Sequence, residues 1–296
     1  MAEQLAVGAW LSPGWSTEDV LAVAREVEQA GYDSVWAADH FMMNSGTEAV
    51  AEPALNECFS VLAALAAAVP SVRLGSLVAG MTYRHPAVLA NMAATIDNVS
   101  GGRLVLGVGA GWQLNEHAAY GIQLGTVRER IDRFEEGLKV IRGLLTEPQT
   151  TVEGEYYTVT DAPRTPVVRP RLPILIGASG ERRMLGLVAE HADEWNCWSD
   201  PEVFAQKSAI LDQHCERLGR DPRSIRRTTQ AVLTFGEVDA QAGRFVFGGS
   251  VAQIVDTIGR WREAGLDELI IPTFGSPAEA RETYSLLQKE VLPQVR

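Results

Sequence analysis

Residues 102–121 read GRLVLGVGAGWQLNEHAAYG. An apolar run, Leu104 to Leu106, gives way to glycines at 107, 109 and 111 and then to Trp112. Three readings compete: a phosphate-cradling dinucleotide turn, a tightly packed strand end, or the floor of another kind of site. GVGAG lacks the G-x-G-x-x-G spacing, and no helix of the required kind starts at its third glycine, so the dinucleotide reading fails. The missing side chains leave the other two: close packing of the strand end, or approach of a flat ring to the backbone with Trp112 or Asn115 at its edge. What the rest of the chain builds decides between them.

Outward from this stretch, strand and helix alternate. Leu5–Trp10 reads as a buried strand, and the segment from Ser16 to Gly31 as a helix capped by Ser16 or Thr17 and closed by Gly31. Asp33–Asp39 is followed by a loose polar segment and a helix over Asn56–Val69. Val72–Gly80 is followed by a helix whose permitted first-turn proline is Pro86. Arg103–Val108 leads to a long amphipathic helix over Val127–Leu145. The second half pairs Leu172–Ala178 with Glu181–Ala192, and Glu194–Trp198 with a helix from Pro201 to Leu218. It then pairs Arg226–Phe235 with Val251–Gly265, and Leu269–Phe274 with a helix from Pro277 to Leu292. Residues 150–171 read as a hairpin and a proline-rich return that decorate the fold. Eight strand–helix units in 296 residues predict a TIM (β/α)8 barrel, one domain over 1–296, with insertions after strands two and four. An open doubly wound sheet is the competitor; no composition break marks the second domain it would bring.

The formal charge of −12 argues against a general nucleic-acid binder, and 46% apolar residues supply a large core. No apolar run reaches the roughly 18 residues of a membrane span, and the start, MAEQLAVGAWLSP, has no signal-peptide pattern. Cys58, Cys197 and Cys215 are few and widely spaced, which suits reduced thiols and a cytoplasmic location.

In a barrel of this kind, function sits on the loops that follow the strands. The unusual residues fall there: Asp39-His40-Phe41, Ser76-Leu77-Val78, the Gly107–Glu116 run, Gly177–Arg183, and Trp195–Trp198. Gly177-ASGERR-Arg183 is the phosphate candidate, because the unpaired N–H groups ahead of a helix form an anion site. Its competing reading is a capped helix with solvated arginines. His40 is either a structural histidine or a proton-handling group. His85 fixes the turn into Pro86, and no histidine has metal-ligand spacing, so no metal is expected. There is no G-x-S-x-G elbow and no Walker loop. No lysine stands at a strand end for a Schiff base, since Lys139, Lys207 and Lys289 all fall in helices.

Four stretches carry a resemblance that spans the chain: Asp39-HF, the run from Tyr83-RHPAVLANMAATIDNVSGGRLVLGVGAGW to Trp112, Pro173-ILIGASGERRML, and Ala192-DEWN. Together they resemble the luciferase-like monooxygenase superfamily, and within it the oxidoreductases that depend on the deazaflavin coenzyme F420. The resemblance implies a dimeric barrel with the coenzyme at its C-terminal mouth. It assigns the phosphate to Gly177, Ala178, Ser179, Gly180 and Glu181, with Arg182 in reach. It places a non-proline cis peptide near Ser76–Leu77, whose bulge with Val78 backs the central ring, and sets Asp39, His40, Asn115 and Trp112 about that ring. The sugar-phosphate dehydrogenases of the family carry a glutamate where this chain has Trp112, which counts against that reaction; Glu116, four positions later, is not taken as its replacement.

The expected activity is hydride transfer between the coenzyme and a small organic substrate, with the cofactor carrying the difficult chemistry. His40 is the proton-handling group and Asp39 its orienting partner; Trp10, Phe41, Trp112 and Trp195 are the pocket walls. Two alternatives stand beside it: an FMNH2-dependent two-component monooxygenase on the same fold, with FMN in place of F420, and a non-catalytic coenzyme-binding protein.

Overall fold

The computed structural model describes residues 4–238 and 245–296. Eight parallel strands run Ala6–Leu11, Ser34–Ala37, Arg73–Ser76, Leu104–Gly109, Ile174–Gly177, Glu194–Trp198, Arg226–Gln230 and Glu268–Pro272. Each pairs with the next, the first also pairs with the eighth, and the third with the fourth, so the sheet closes into a ring. The expected TIM barrel is the observed architecture.

Side chains alternate across the ring as strand geometry requires. Val7, Ala9, Leu11, Leu104, Leu106, Val108, Ile174 and Ile176 face outward and merge with the helices into the main core. Trp10, Trp36, Leu77, Val105, Leu175 and Ile270 fill the interior. Trp36 fits there because its neighbour on the third strand is Gly75, where a Cβ would overlap the indole ring. Below it, at the strands' N-terminal end, Arg73 pairs with Glu194 and Glu268, and Glu268 also accepts from Ser34 and from Trp36 Nε1 at 3.2 Å. An open cleft of about 300 Å³ at this end is lined by residues including Arg171, Asp193 and Arg226. Its charged side chains include Asp193, paired with Arg142 and Arg171, and Arg226, paired with Glu268.

The helices follow their sequence signals. Ser16 caps Thr17–Gln29, and Thr126 with Glu129 and Ser250 with Gln253 close reciprocal capping boxes. His85 caps Pro86–Val99 by accepting from the Ala87 N–H. The insertion is an antiparallel hairpin, Gln149–Glu153 with Thr158–Pro163, anchored where the Glu136 carboxylate accepts from the N–H groups of Glu155 and Tyr156. Among the described residues no helix is long and apolar enough to cross a membrane.

Several boundaries differ from expectation. The third strand stops at Ser76, and its last residues, Ala79–Gly80, pair separately with the fourth. The cis peptide between them is Leu77–Val78, one bond later than Ser76–Leu77. The seventh strand was expected to run through Phe235, yet it leaves the barrel after Gln230. Val232 N–H turns to the carbonyl of Phe245, and Val232–Phe235 forms a separate parallel pair with Val246–Gly249. A short helix, Leu114–Tyr120, occupies what reads in sequence as loop, and Gly121 in the left-handed region ends it.

Candidate active site at the barrel mouth

The glycines of the opening stretch are explained by the interrupted third strand. Between Ser76 and Ala79 the chain bulges, and Val78 lies against the fourth and fifth strands. A Cβ on Gly107 would overlap the Ser76 carbonyl, one on Gly109 would come within 2.8 Å of Val78 Cγ2, and one on Gly177 within 3.0 Å of Val78 Cγ1. The glycines therefore accept a neighbouring piece of backbone and its valine. Ser76 pins the bulge: its hydroxyl donates to the Gly107 carbonyl at 2.8 Å and accepts from the Gly107 N–H at 3.1 Å. Fully buried and doubly engaged, Ser76 supports the platform from behind. The half-buried Val78 is the residue the platform presents.

Beside this platform the end of the second strand carries Asp39, His40 and Phe41. Asp39 is 2% exposed. Both its oxygens accept from Arg84, at 2.7 and 2.9 Å, and one also accepts from the Gly80 N–H at 3.1 Å. Burial pushes the Asp39 carboxyl up, and the Arg84 guanidinium and Gly80 N–H pull it back. Arg84 in turn pairs with Glu57 and lies over the Phe59 ring at 4.8 Å. This ion pair ties the second strand to the start of the next helix.

The partner of His40 is a different carboxylate. Glu116, fully buried on the short helix after the fourth strand, lies 2.7 Å from His40 Nδ1. Its other oxygen accepts from the Phe41 N–H at 2.7 Å, and the Tyr83 hydroxyl donates to the first. Burial alone would raise the Glu116 carboxyl, but the hydrogen bonds from His40, Tyr83 and Phe41 hold it below the usual range. Burial and the adjacent Glu116 push the Tyr83 phenol far up, so it stays a donor. Asp39, expected to tune or orient His40, has its oxygens taken by Arg84 and Gly80, and the carboxylate hydrogen-bonded to His40 is Glu116.

Around His40 the walls are aromatic. Trp112, 54% exposed, meets its ring edge-on at 5.5 Å. Phe41 is held between Tyr83 at 4.9 Å and Tyr120 at 5.1 Å. Trp10 closes the top of the interior against Phe274 at 5.2 Å. Trp195 does not belong here. It faces outward, is fully buried, stacks on Phe204 and donates from Nε1 to the Ala178 carbonyl at 2.9 Å. The inward residues of that strand are Glu194 at its start, Asn196 and, at the mouth, the partly exposed Trp198. Asn115 is buried under the loop after the second strand; its amide donates to the Met43 carbonyl at 2.8 Å, and its own oxygen is buried without a partner among the described residues.

The fifth strand delivers the last component to the same rim. Ala178 is nearly buried and Ser179, Gly180, Glu181 and Arg182 are exposed. The helix proper starts at Met184, later than the expected Glu181, so these residues form an open turn ahead of it. Among the described residues, no carbonyl takes the N–H groups of Ser179, Gly180 or Glu181. Glu181 is held by Lys207 at 2.7 Å, and Arg183 turns away to Asp132. Unpaired N–H groups at a strand-to-helix turn suit an anion. No cluster of His, Cys, Asp or Glu among the described residues is arranged for a metal.

Sequence reasoning missed Glu116 because its partner lies on another strand end, and a lone acid in a loop-like stretch carries no signal of its own. The pattern LNEHAAYG marks only a helix face, with Glu116 and Tyr120 four apart, and says nothing of His40.

The chain is 36% identical to an F420-dependent glucose-6-phosphate dehydrogenase of Amycolatopsis mediterranei, with 94% of each chain covered. It is 35% identical to a protein of the same name from Kineococcus radiotolerans over 74% of this chain, a match that spans 64% of that protein's length. The solved structure of an F420-dependent secondary alcohol dehydrogenase, bound to an F420–acetone adduct, superposes with a TM-score of 0.85 over 99% of this chain and 100% of its own, at 18% identity. That likeness is one of fold. The family profile described as luciferase-like monooxygenase matches residues 4–287. By this match over nearly its whole length, the chain belongs to the luciferase-like monooxygenase family.

Proposed function

We propose that the protein is an oxidoreductase of the F420-dependent branch, moving a hydride between the deazaflavin coenzyme and a small organic substrate. The observation that carries this reading is convergence at one rim. The Val78 platform, the open Ala178–Glu181 turn and His40 all follow the C-terminal ends of parallel strands, where this fold places its chemistry. The names of the two sequence relatives support it.

The residues fit the coenzyme. The unpaired N–H groups of Ser179, Gly180 and Glu181 would take its phosphate, and Arg182, exposed and without an ion-pair partner among the described residues, adds charge. The bulge at Leu77–Val78 offers a raised apolar surface for the ring. When bound, the coenzyme supplies the hydride-accepting or hydride-donating carbon. His40 holds the proton: in the oxidising direction it takes the substrate hydroxyl proton as hydride leaves the adjoining carbon, and in the reducing direction it returns that proton to the carbonyl oxygen. Trp112, Phe41 and Trp10 orient the substrate and exclude water. Trp112 stands where the family's sugar-phosphate enzymes carry a glutamate, so the substrate proposed is neutral and partly apolar. A homodimer is part of this reading, and sedimentation equilibrium tests it.

Titration of the purified protein with oxidised F420 and, separately, FMN, followed by fluorescence, tests the cofactor. F420 binding at micromolar concentration without FMN binding is the expected result. Substrate-dependent oxygen consumption with reduced FMN would overturn it in favour of a two-component monooxygenase. F420 binding without turnover across alcohols and carbonyls would leave a coenzyme-binding protein.

A further inference from the structure

The Glu116 contact has a chemical consequence that can be read from donors and acceptors alone. An ionised carboxylate has no proton to give. The Phe41 N–H is a fixed backbone donor, and it takes Oε2 at 2.7 Å; the Tyr83 hydroxyl donates to Oε1. The same Oε1 lies 2.7 Å from His40 Nδ1. With Glu116 charged, the only hydrogen-bonded arrangement puts the proton of neutral His40 on Nδ1. Nε2 is left with its lone pair. The ring is partly exposed at the mouth, edge-on to Trp112, while its Nδ1 side is enclosed.

We infer that Glu116 is a positioning residue that fixes the tautomer of His40, locking the proton on Nδ1 and presenting Nε2 as a base to the substrate side. The inference deepens the oxidoreductase reading and rests on it for the identity of the group served. The tautomer itself is a property of the protein without coenzyme.

Glu116→Gln is a discriminating change because it keeps size and shape. The Phe41 N–H still demands an oxygen, so the new amide must turn its oxygen to Phe41 and its NH2 to His40. Nδ1 then becomes an acceptor, and the proton moves to Nε2. The Tyr83 hydroxyl rotates freely and blocks neither state. Glu116→Asp keeps an acceptor-only group and retains the original tautomer if its shorter arm still reaches.

The test is nitrogen NMR of the coenzyme-free protein labelled with 15N-histidine, at a pH where the imidazole is neutral. The chain has five histidines, and His40→Gln identifies the relevant signals by their loss. Wild type should show His40 protonated on Nδ1, with Glu116→Gln exchanging the shifts of its two ring nitrogens and Tyr83→Phe leaving them in place. A wild-type His40 protonated on Nε2, or a folded Glu116→Gln protein with unchanged shifts, overturns the inference. Should Glu116→Gln fail to fold by circular dichroism, the wild-type and Tyr83→Phe spectra decide: both protonated on Nδ1 uphold it, and either on Nε2 rejects it. Failure to bind F420 would defeat the functional reading and leave this result standing, so the two fail separately.

Discussion

His40 Nδ1 and Glu116 Oε1 lie 2.7 Å apart, although 76 residues separate them in sequence. The end of the second strand and the short helix after the fourth strand are brought together there, and nothing in either stretch alone announces it. A buried charged hydrogen bond of this kind couples folding to protonation.

The sign of that coupling follows from the Glu116 carboxyl lying below its ordinary value of 4.5 in the folded protein. Its contribution to stability is complete above the unfolded value and lost as pH falls through the folded one. Wild type should therefore exceed Glu116→Gln in stability by the largest margin near neutrality, and the margin should shrink below about pH 4.5. Urea unfolding at a series of pH values checks this. A margin that is constant or grows with acidity would contradict it.

Arg84 neutralises a buried acid. In an Arg84→Met protein, Asp39 keeps only the Gly80 N–H and loses the fork. Breaking a buried pair by removing one partner typically costs about 3–5 kcal/mol. The expected loss is of that size at neutral pH and smaller in acid, where Asp39 is protonated. Asp39→Asn on the same background should recover part of it. Chemical denaturation of the two single variants and the double variant measures the coupling.

The platform glycines should differ in tolerance. Gly107→Ala drives its new methyl into a backbone carbonyl, which cannot yield without moving the bulge, whereas Gly177→Ala meets only the methyls of Val78 at 3.0 and 3.1 Å. Overpacking in a fixed site costs about 1–3 kcal/mol, occasionally more. Gly107→Ala is expected at or beyond the top of that range and Gly177→Ala near the bottom. Thermal unfolding of both ranks them; equal losses would mean that the bulge is soft.

At the turn proposed to take the coenzyme's phosphate, Ser179→Ala removes a hydroxyl and leaves the backbone N–H groups. A hydrogen bond to a charged group contributes about 1.5–3 kcal/mol, so F420 affinity should fall about tenfold or more. Fold and unfolding midpoint should be unchanged because Ser179 is exposed. Fluorescence titration measures it, and an affinity within about twofold of wild type would remove Ser179 from the site.

The barrel was legible because it depends on periodicity. Val7, Ala9 and Leu11 alternate with Gly8 and Trp10, and Ser16, Thr126, Ser250 and Ser276 are helix caps of the kind that sequence displays. The open turn after the fifth strand and the placing of His40 and Phe41 at the mouth were legible for the same reason, since they follow strand ends. Trp195 was misplaced through parity. Its strand begins with Glu194, a charged residue that points inward because Arg73 waits there, and that sets the indole outside. The departure of the chain after Gln230 was hidden because Thr229-QAVLTF-Phe235 is strand-like throughout, and only the partner of Val232 decides which sheet it joins. Glu116 was illegible for a deeper reason: its role comes entirely from the groups around it.

The seating of Val78 against Gly107, Gly109 and Gly177 makes substitutions on three strands interdependent. An alanine at 109 is a defect while valine stands at 78 and becomes acceptable once 78 is itself shortened, so the order in which substitutions arrive decides whether each survives. A combinatorial library over 78, 109 and 177 should yield folded members along a ridge of roughly constant total volume and few on either side of it.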